Sequence, residues 1–244
     1  MPNPQRPRGR PRLTPRATED EPRVEAVERA LTLLDTFADG HPRLTLAELA
    51  QRSGLYPSTV LRLAASLARF GYLLRDADGA FRLGPTPLRL GSLYQEAFDI
   101  AAQLRPGLAR LVEQTGETAA FYVREGDRRI CLYRHHAPRP IRQHLEEGAS
   151  LPLDRGAGGR VLTAFGGGGT ALDAEVRAQG YHLSVGERDP ETAAIAAPVF
   201  TTGGRLAGAL AVTGPRARIE AAAAPLAAAV LAEATRLTRA LGGS

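Results

Sequence analysis

The hydrophobic pattern of this chain changes period several times, and each change marks an element. Val24, Val27, Leu31, Leu34 and Phe37 recur at three- and four-residue spacing, which predicts a helix over about 24–38 with one buried stripe. Asp39-Gly40-His41-Pro42 ends it. Thr45 and Glu48 form a capping-box pattern that opens a second helix, reaching about Ser53, and Gly54 is placed to end it in a left-handed conformation. A third helix starts at Pro57, whose missing N–H would go unpaired in a first turn anyway, and buries Val60, Leu63, Ala64 and Leu67. Runs at 72–75 and 80–83 flank Asp76-Ala77-Asp78-Gly79, a hairpin signal. This order is that of a winged helix-turn-helix and makes double-stranded DNA the expected partner.

From Pro87 to about Gln114 the pattern is helical again, through Leu88, Leu90, Leu93, Phe98, Ile100, Leu104, Leu108, Leu111 and Val112. Pro106-Gly107 suggests a break or a new helix start, and a domain boundary is expected near Asp99. Such a connecting helix packs either against a second subunit or into its own core. Short apolar runs at 118–123, 129–133, 141–145, 181–185, 194–200 and 206–213 then read as strands. Gly156-Ala157-Gly158-Gly159 leads into a short helix, and an alanine-rich helix over 219–241 carries Leu226, Val230, Leu231 and Leu237 on its apolar side. A sheet flanked by helices at 103–115 and 219–241 is the simplest arrangement. The fold class is therefore α+β: a tail over 1–22, a winged helix-turn-helix over 23–86, a linker helix over 87–102 and an α/β domain over 103–244.

Length agrees, since 244 residues suit two small domains. All 31 basic side chains are arginine. That bias fits a GC-rich genome, so no single arginine is by itself a sign of bidentate recognition. Residues 1–90 hold 14 arginines against ten acidic side chains and the remainder 17 against 16, so the excess sits with the candidate DNA reader, as phosphate attraction requires. Arg6, Arg8, Arg10, Arg12 and Arg16 precede the first acid, Glu19, in a segment expected to be disordered when free. Within it, Arg8-Gly9-Arg10-Pro11 resembles the core of an AT-hook, with Arg8 and Arg10 in a narrow minor groove; an inert solubilising tail is the alternative. Cys131 is the single cysteine, which excludes an intrachain disulfide and fits a reducing cytoplasm. No apolar run approaches the ~20 residues of a membrane span, nor is there a secretory signal, so a cytoplasmic protein with no membrane partner is expected.

On the third helix, Ser58, Thr59, Arg62, Ser66 and Arg69 fall away from the buried stripe. Small hydroxyls at a helix start with an arginine one turn on suit a major groove, although any amphipathic helix also needs solvated polar positions. Arg75 and Arg82 on the hairpin could meet phosphates, adding affinity but no sequence choice. The glycine cluster is not a dinucleotide fingerprint, because Val161 stands where its last glycine would be, and a chain without lysine has no phosphate-loop lysine. His135, His136 and His144 lack metal-ligand spacing, and Cys131 reads as a small buried residue. No nucleophile–base set or paired carboxylates stand out, so no catalysis, cofactor or metal is expected. A ligand-binding or enzymatic protein whose helix-turn-helix mediates protein contacts stays open at this point.

Several segments occur together, in order, over 24–241: Val24 to Leu31, Pro57-Ser58-Thr59-Val60-x-Arg62, Phe81-Arg82-Leu83-Gly84, Leu90-Gly91, Leu151-Pro152-Leu153-Asp154, Gly156 to Arg160, Ile195-Ala196-Ala197-Pro198-Val199 and Val212-Thr213-Gly214-Pro215. With them the chain resembles the IclR family of bacterial transcriptional regulators. The resemblance implies a GAF-like effector-binding domain, a homodimer or dimer of dimers on an inverted-repeat operator, and no catalysis. Effectors in the family are often carboxylates or aromatic acids, which suits free N–H groups at a helix start over 156–160. Members that take small oxo-acids use the glycine-rich turn, a cysteine before the Ile-Ala-Ala-Pro segment and hydroxyls in the strand before Gly-Pro. Here the matching positions are Ala157, Gly158 and Gly159, then Ala194, then Ala211 and Thr213, with Ser184 at an acidic position. Alanine in place of the cysteine and one serine implies an effector larger or more apolar than a two- or three-carbon acid. Residues 165–170 are also shorter than the family's helical excursion.

Overall fold

The computed structural model describes residues 23–38, 40–138 and 146–243. The tail with Arg8 and Arg10, the expected strand at 141–145 and His144 lie outside them. The chain divides after Pro87 into two compact units.

In the first unit Thr45 accepts from the Glu48 N–H at 3.3 Å while the Glu48 carboxylate accepts from the Thr45 N–H at 2.8 Å. This reciprocal cap starts α2 (Leu46–Ser53), which Gly54 ends at φ 72°. Around it stand α1 (Glu25–Asp35), α3 (Pro57–Arg69), β1 (Leu73–Arg75) and β2 (Phe81–Leu83). Leu33, Phe37, Leu44, Leu49, Val60, Ala64, Leu73 and Phe81 form the core. Leu44 and Phe81 exchange backbone hydrogen bonds at 2.9 and 2.8 Å, tying the segment before α2 to the wing. The stripe expected on α1 is only half right. Phe37 is buried and Leu34 packs against the core, but Val24, Val27 and Leu31 are exposed and Leu33 takes the innermost place. The helix has two adjoining apolar faces, and spacing alone does not say which one a single chain buries.

Next come α4 (Pro85–Glu96), which buries none of its residues, and α5 (Ala101–Thr115). Asp99, at φ 48°, marks the interruption between them. The break expected at Pro106-Gly107 is absent, because α5 passes straight through. Proline there forgoes one bond to the Ala102 carbonyl, a loss that tertiary packing of this helix outweighs.

The rest of the second unit is β3 (Thr118–Glu125), β4 (Arg128–His135), β5 (Ser150–Pro152), α6 (Ala157–Phe165), α7 (Ala171–Gln179), β6 (His182–Val185), β7 (Thr192–Thr201), β8 (Arg205–Pro215), α8 (Arg216–Ala221) and α9 (Ala223–Ala240). The six strands form one antiparallel sheet in the order β5-β4-β3-β8-β7-β6. Strand alternation sorts the side chains. Phe121, Ile195, Val199, Leu210 and Val212 pack with Leu104, Leu108, Leu111, Val230 and Leu237 of α5 and α9. Ala120, Ala196, Ala209 and Ala211 face Val161 and Leu162 of α6 on the other side. The helices expected to flank the sheet therefore share one face, and α6 with α7 covers the second.

Three further departures have local causes. The continuous helix expected over 219–241 divides at Ala222, because Pro225 has no N–H to give residue 221 and its ring opposes that carbonyl. β5 has three residues at a sheet edge, too few to show alternation. Residues 166–169 are a glycine turn into α7, which a second capping box opens: Thr170 accepts from Asp173 N–H at 3.2 Å and the Asp173 carboxylate accepts from Thr170 N–H at 2.9 Å.

Arg218 grips Glu117 with Nε at 2.6 Å and Nη2 at 2.8 Å, and the Glu117 side chain is only 6% exposed. Removing one partner strands a buried carboxylate. Because the arginine is itself one-third exposed, we expect Arg218→Met to cost about 2 kcal/mol, or roughly 4–8 °C in Tm. Adding Glu117→Gln should recover part of that loss. Additive losses in a thermal-melt double-mutant cycle would show that the pair contributes nothing of its own.

Candidate DNA-reading face and effector cavity

Helix α3 presents Ser58, Arg62, Ser66 and Arg69 to solvent, with Thr59 half-buried beside them. Ser66 donates to the Arg62 carbonyl at 3.3 Å. Neither Arg62 nor Arg69 is among the paired arginines of the described residues. The wing is different. Arg82 donates to Asp76 at 3.0 Å, and Arg75 lies 5.4 Å from the Phe81 ring centre while donating to the Gly79 carbonyl at 3.4 Å. Arg43, which sequence reasoning passed over, donates to Asp76 at 2.9 Å and to Asp78 at 2.8 Å. Two acids at the wing tip thus hold Arg43 and Arg82, whereas the helix arginines meet no acid among the described residues.

In the second unit, Ala157, Gly158, Ser184, Ala194, Ala211 and Thr213 line one cavity of about 30 Å³, between the alanine face of the sheet and the start of α6. Register explains the convergence: Ser184 pairs with Ala194 and Ala194 with Thr213, giving one row across β6, β7 and β8. Gly159 is the exception among the expected residues and does not line the space. A side-chain carbon there would sit 2.4 Å from the Leu153 carbonyl oxygen and 2.4 Å from Arg129 Nη1, so glycine lets α6 lie close to its neighbours.

Tyr122, Arg129, Glu187, Arg188 and Thr192 also line the cavity, and sequence reasoning singled out none of them. Arg129 is only 4% exposed. Its Nη1 donates to the carbonyls of Arg155 at 2.7 Å and Gly156 at 3.3 Å, and its guanidinium carbon lies 5.3 Å from the Tyr122 ring centre. Nε is buried with no hydrogen-bond partner. Burial pulls the pKa of Arg129 below the ordinary arginine value, with Arg188 acting in the same direction. A buried cation without a carboxylate costs several kcal/mol in desolvation.

The expected anion seat at the start of α6 is partly taken. The Gly156 N–H donates to Glu187 Oε2 at 2.9 Å, and Arg160 Nε meets the same oxygen at 3.1 Å. His182 Nε2 lies 3.4 Å from the other carboxylate oxygen. The amides of Ala157 and Gly158 follow, with no earlier helical carbonyl to bond. Burial raises the Glu187 carboxyl, but the hydrogen bonds from Gly156, His182 and Arg160 outweigh it and hold the group below its ordinary value. Elsewhere in the domain, burial pushes the Cys131 thiol up to about 12, which makes it unreactive. His136 lies 3.5 Å from Glu146.

Two family models match the chain. That for the IclR helix-turn-helix domain matches residues 26–77, and that for the bacterial transcriptional regulator IclR C-terminal domain matches 93–173 and 170–239. The chain is similar to the HTH-type transcriptional regulator BhcR of Paracoccus denitrificans, at 33% identity over 88% of this chain and 86% of that protein. A solved structure of a putative IclR regulator from Silicibacter sp. TM1040 is 27% identical, covers 90% of this chain and 97% of its own, and has a TM-score of 0.64. An IclR homolog from Microbacterium hydrocarbonoxydans complexed with 4-hydroxybenzoate shares the fold at a TM-score of 0.72 and 21% identity, over 89% of this chain and 99% of its own.

A carboxylate held below its unfolded pKa stabilises the fold above that value and stops doing so as pH falls through the folded one. Glu187→Gln should therefore lower Tm at neutral pH by about 2–4 °C, as a loss of ~1 kcal/mol would. The gap to the wild type should close as pH drops below 4.5. A gap that stays constant from neutral pH down to acid would remove Glu187 from this role.

Proposed function

The chain belongs to the IclR family of bacterial transcriptional regulators, and from that premise we propose that it binds an inverted-repeat operator as a homodimer, with α3 in the major groove and an organic acid in the cavity beside Gly158. It is a DNA-binding regulator with a small-molecule effector and not an enzyme. None of the helices among the described residues is long and apolar enough to cross a membrane.

The observation that carries the DNA half is the exposed polar face of α3, where Arg62 and Arg69 stand without an acidic partner among the described residues. Ser58 and Thr59 at the start of that helix suit phosphate and base edges. Arg75 and Arg82 would contribute phosphate contacts in competition with the wing's own acids, and Arg8 and Arg10 would add minor-groove contacts from the basic tail. The homodimer is supported by exposed apolar surface: Val24, Val27 and Leu31 in the first unit, and Leu88, Leu90 and Leu93 along α4. Two-fold symmetry in the protein then calls for two-fold symmetry in the operator. For the effector, the alanines at 157, 194 and 211 give smooth walls, while the hydroxyls of Ser184 and Thr213 remain for hydrogen bonds. An aromatic acid, as in the 4-hydroxybenzoate complex of the relative, needs more than about 30 Å³ and requires the walls of the cavity to open.

Fluorescence anisotropy with DNA from upstream of the gene tests the assignment. Arg62→Ala should weaken operator binding by at least about tenfold, as the loss of a good base or phosphate contact does, with the melting curve unchanged. Unchanged affinity would remove α3 from the reader's role. In sedimentation, Leu93→Glu should shift the protein from dimer to monomer, because a charge would be buried in the apolar contact. A dimer that survives it places the interface elsewhere.

A further inference from the structure

We propose that Arg129 is the anchor for the effector's carboxylate; this rests on the effector-binding reading above and names the residue that selects the ligand's charge. Cationic side chains as buried as this one are normally matched by an acid or surrounded by acceptors. Arg129 has neither in full. It forms no ion pair with a described residue, and its two hydrogen bonds both leave from Nη1, to the carbonyls of Arg155 and Gly156. The opposite edge, Nε with Nη2, donates to no described residue, and Nε is buried. That edge is the fork with which an arginine grips a carboxylate through two parallel N–H groups. It belongs to a residue on the wall of the cavity that also holds Ser184 and Thr213.

The surrounding charges favour the same assignment. Arg188 lines the same space and adds positive potential to Arg129. Among the described residues of the wall the acid is Glu187, which spends its oxygens on Gly156, Arg160 and His182; it and Asp154 attract Arg129, but neither forms an ion pair with it. Glu187 also occupies the Gly156 N–H just before α6. A carboxylate entering here would meet a guanidinium already desolvated and already fixed by two carbonyls and the Tyr122 ring, so little ordering remains to be done on binding. The recognised chemistry is a carboxylate; its source is either a short oxo-acid or an aromatic acid, and the walls must open for both, further for the aromatic one.

Isothermal titration of the full chain with pyruvate and benzoate, each against its neutral amide, decides both points. The wild type should bind at least one acid and reject the matching amide, and whichever acid binds identifies the source. Arg129→Gln should lose about 10–150-fold in affinity for that acid, the range for hydrogen bonds to a charged group, with circular dichroism unchanged. Arg129→Lys, which keeps the charge without the fork, should fall between the two. Amide binding as tight as acid binding, or acid binding by Arg129→Gln within threefold of the wild type, would overturn the anchor while leaving an effector pocket in place. Binding of neither acids nor amides would overturn the organic-acid reading itself. Should Arg129→Gln fail to fold, the acid–amide comparison on the wild type and the Arg129→Lys titration decide between anchor and no anchor.

Discussion

The effector domain depends on the two-residue period of β7 and β8. One set of positions, including Ile195, Val199, Leu210 and Val212, must fill the space beneath α5 and α9. The intervening set, Ala194, Ala196, Ala209 and Ala211, is uniformly small. A one-residue slip of either strand would exchange the two sets and empty the large side chains into the cavity. With the register held, α6 comes close on the alanine side, helped by Gly159 where even a methyl group would collide with the Leu153 carbonyl. The cavity is what remains when a glycine-rich helix start meets an alanine-rich sheet.

Charge is distributed around that cavity in an unequal way. Glu187 is fully employed by groups near the start of α6, whereas Arg129 is buried with one edge idle. The DNA-reading unit shows the same inequality in solvent: the acids of the wing tip restrain Arg43 and Arg82, and Arg62 and Arg69 on α3 have no acidic partner among the described residues. In both units the uncommitted guanidinium sits on the surface proposed to meet a partner.

Much of the reader was legible because its signals are local. Thr45 with Glu48, Gly54, Pro57 and the Asp78-Gly79 turn each act within a few residues of themselves, and the structure has them doing so. Long-range choices were not legible. Nothing in the spacing of α1 says that Leu33 rather than Val27 goes inward, and nothing near Pro106 announces that α5 continues past it. The Thr170 and Asp173 cap is a local signal for α7 of the same kind as that of α2. In the cavity, motif positions found Ser184, Ala194 and Thr213 because register aligns them. Arg129 could not be found that way. It is one of Arg124, Arg128, Arg129 and Arg134 on a single hairpin; Arg134 is buried as well, and only the fold shows that Arg129 is the one enclosed beneath residues 155 and 156 on the cavity wall.

The absence of lysine has a consequence for how the reader's surface responds to its medium. Every cation on α3 and the wing is a guanidinium, which stays protonated at any alkalinity the fold withstands. An ammonium surface would begin to discharge near pH 10. This one keeps its positive charge there, so its attraction for a polyanion falls less in base than that of an ammonium surface would.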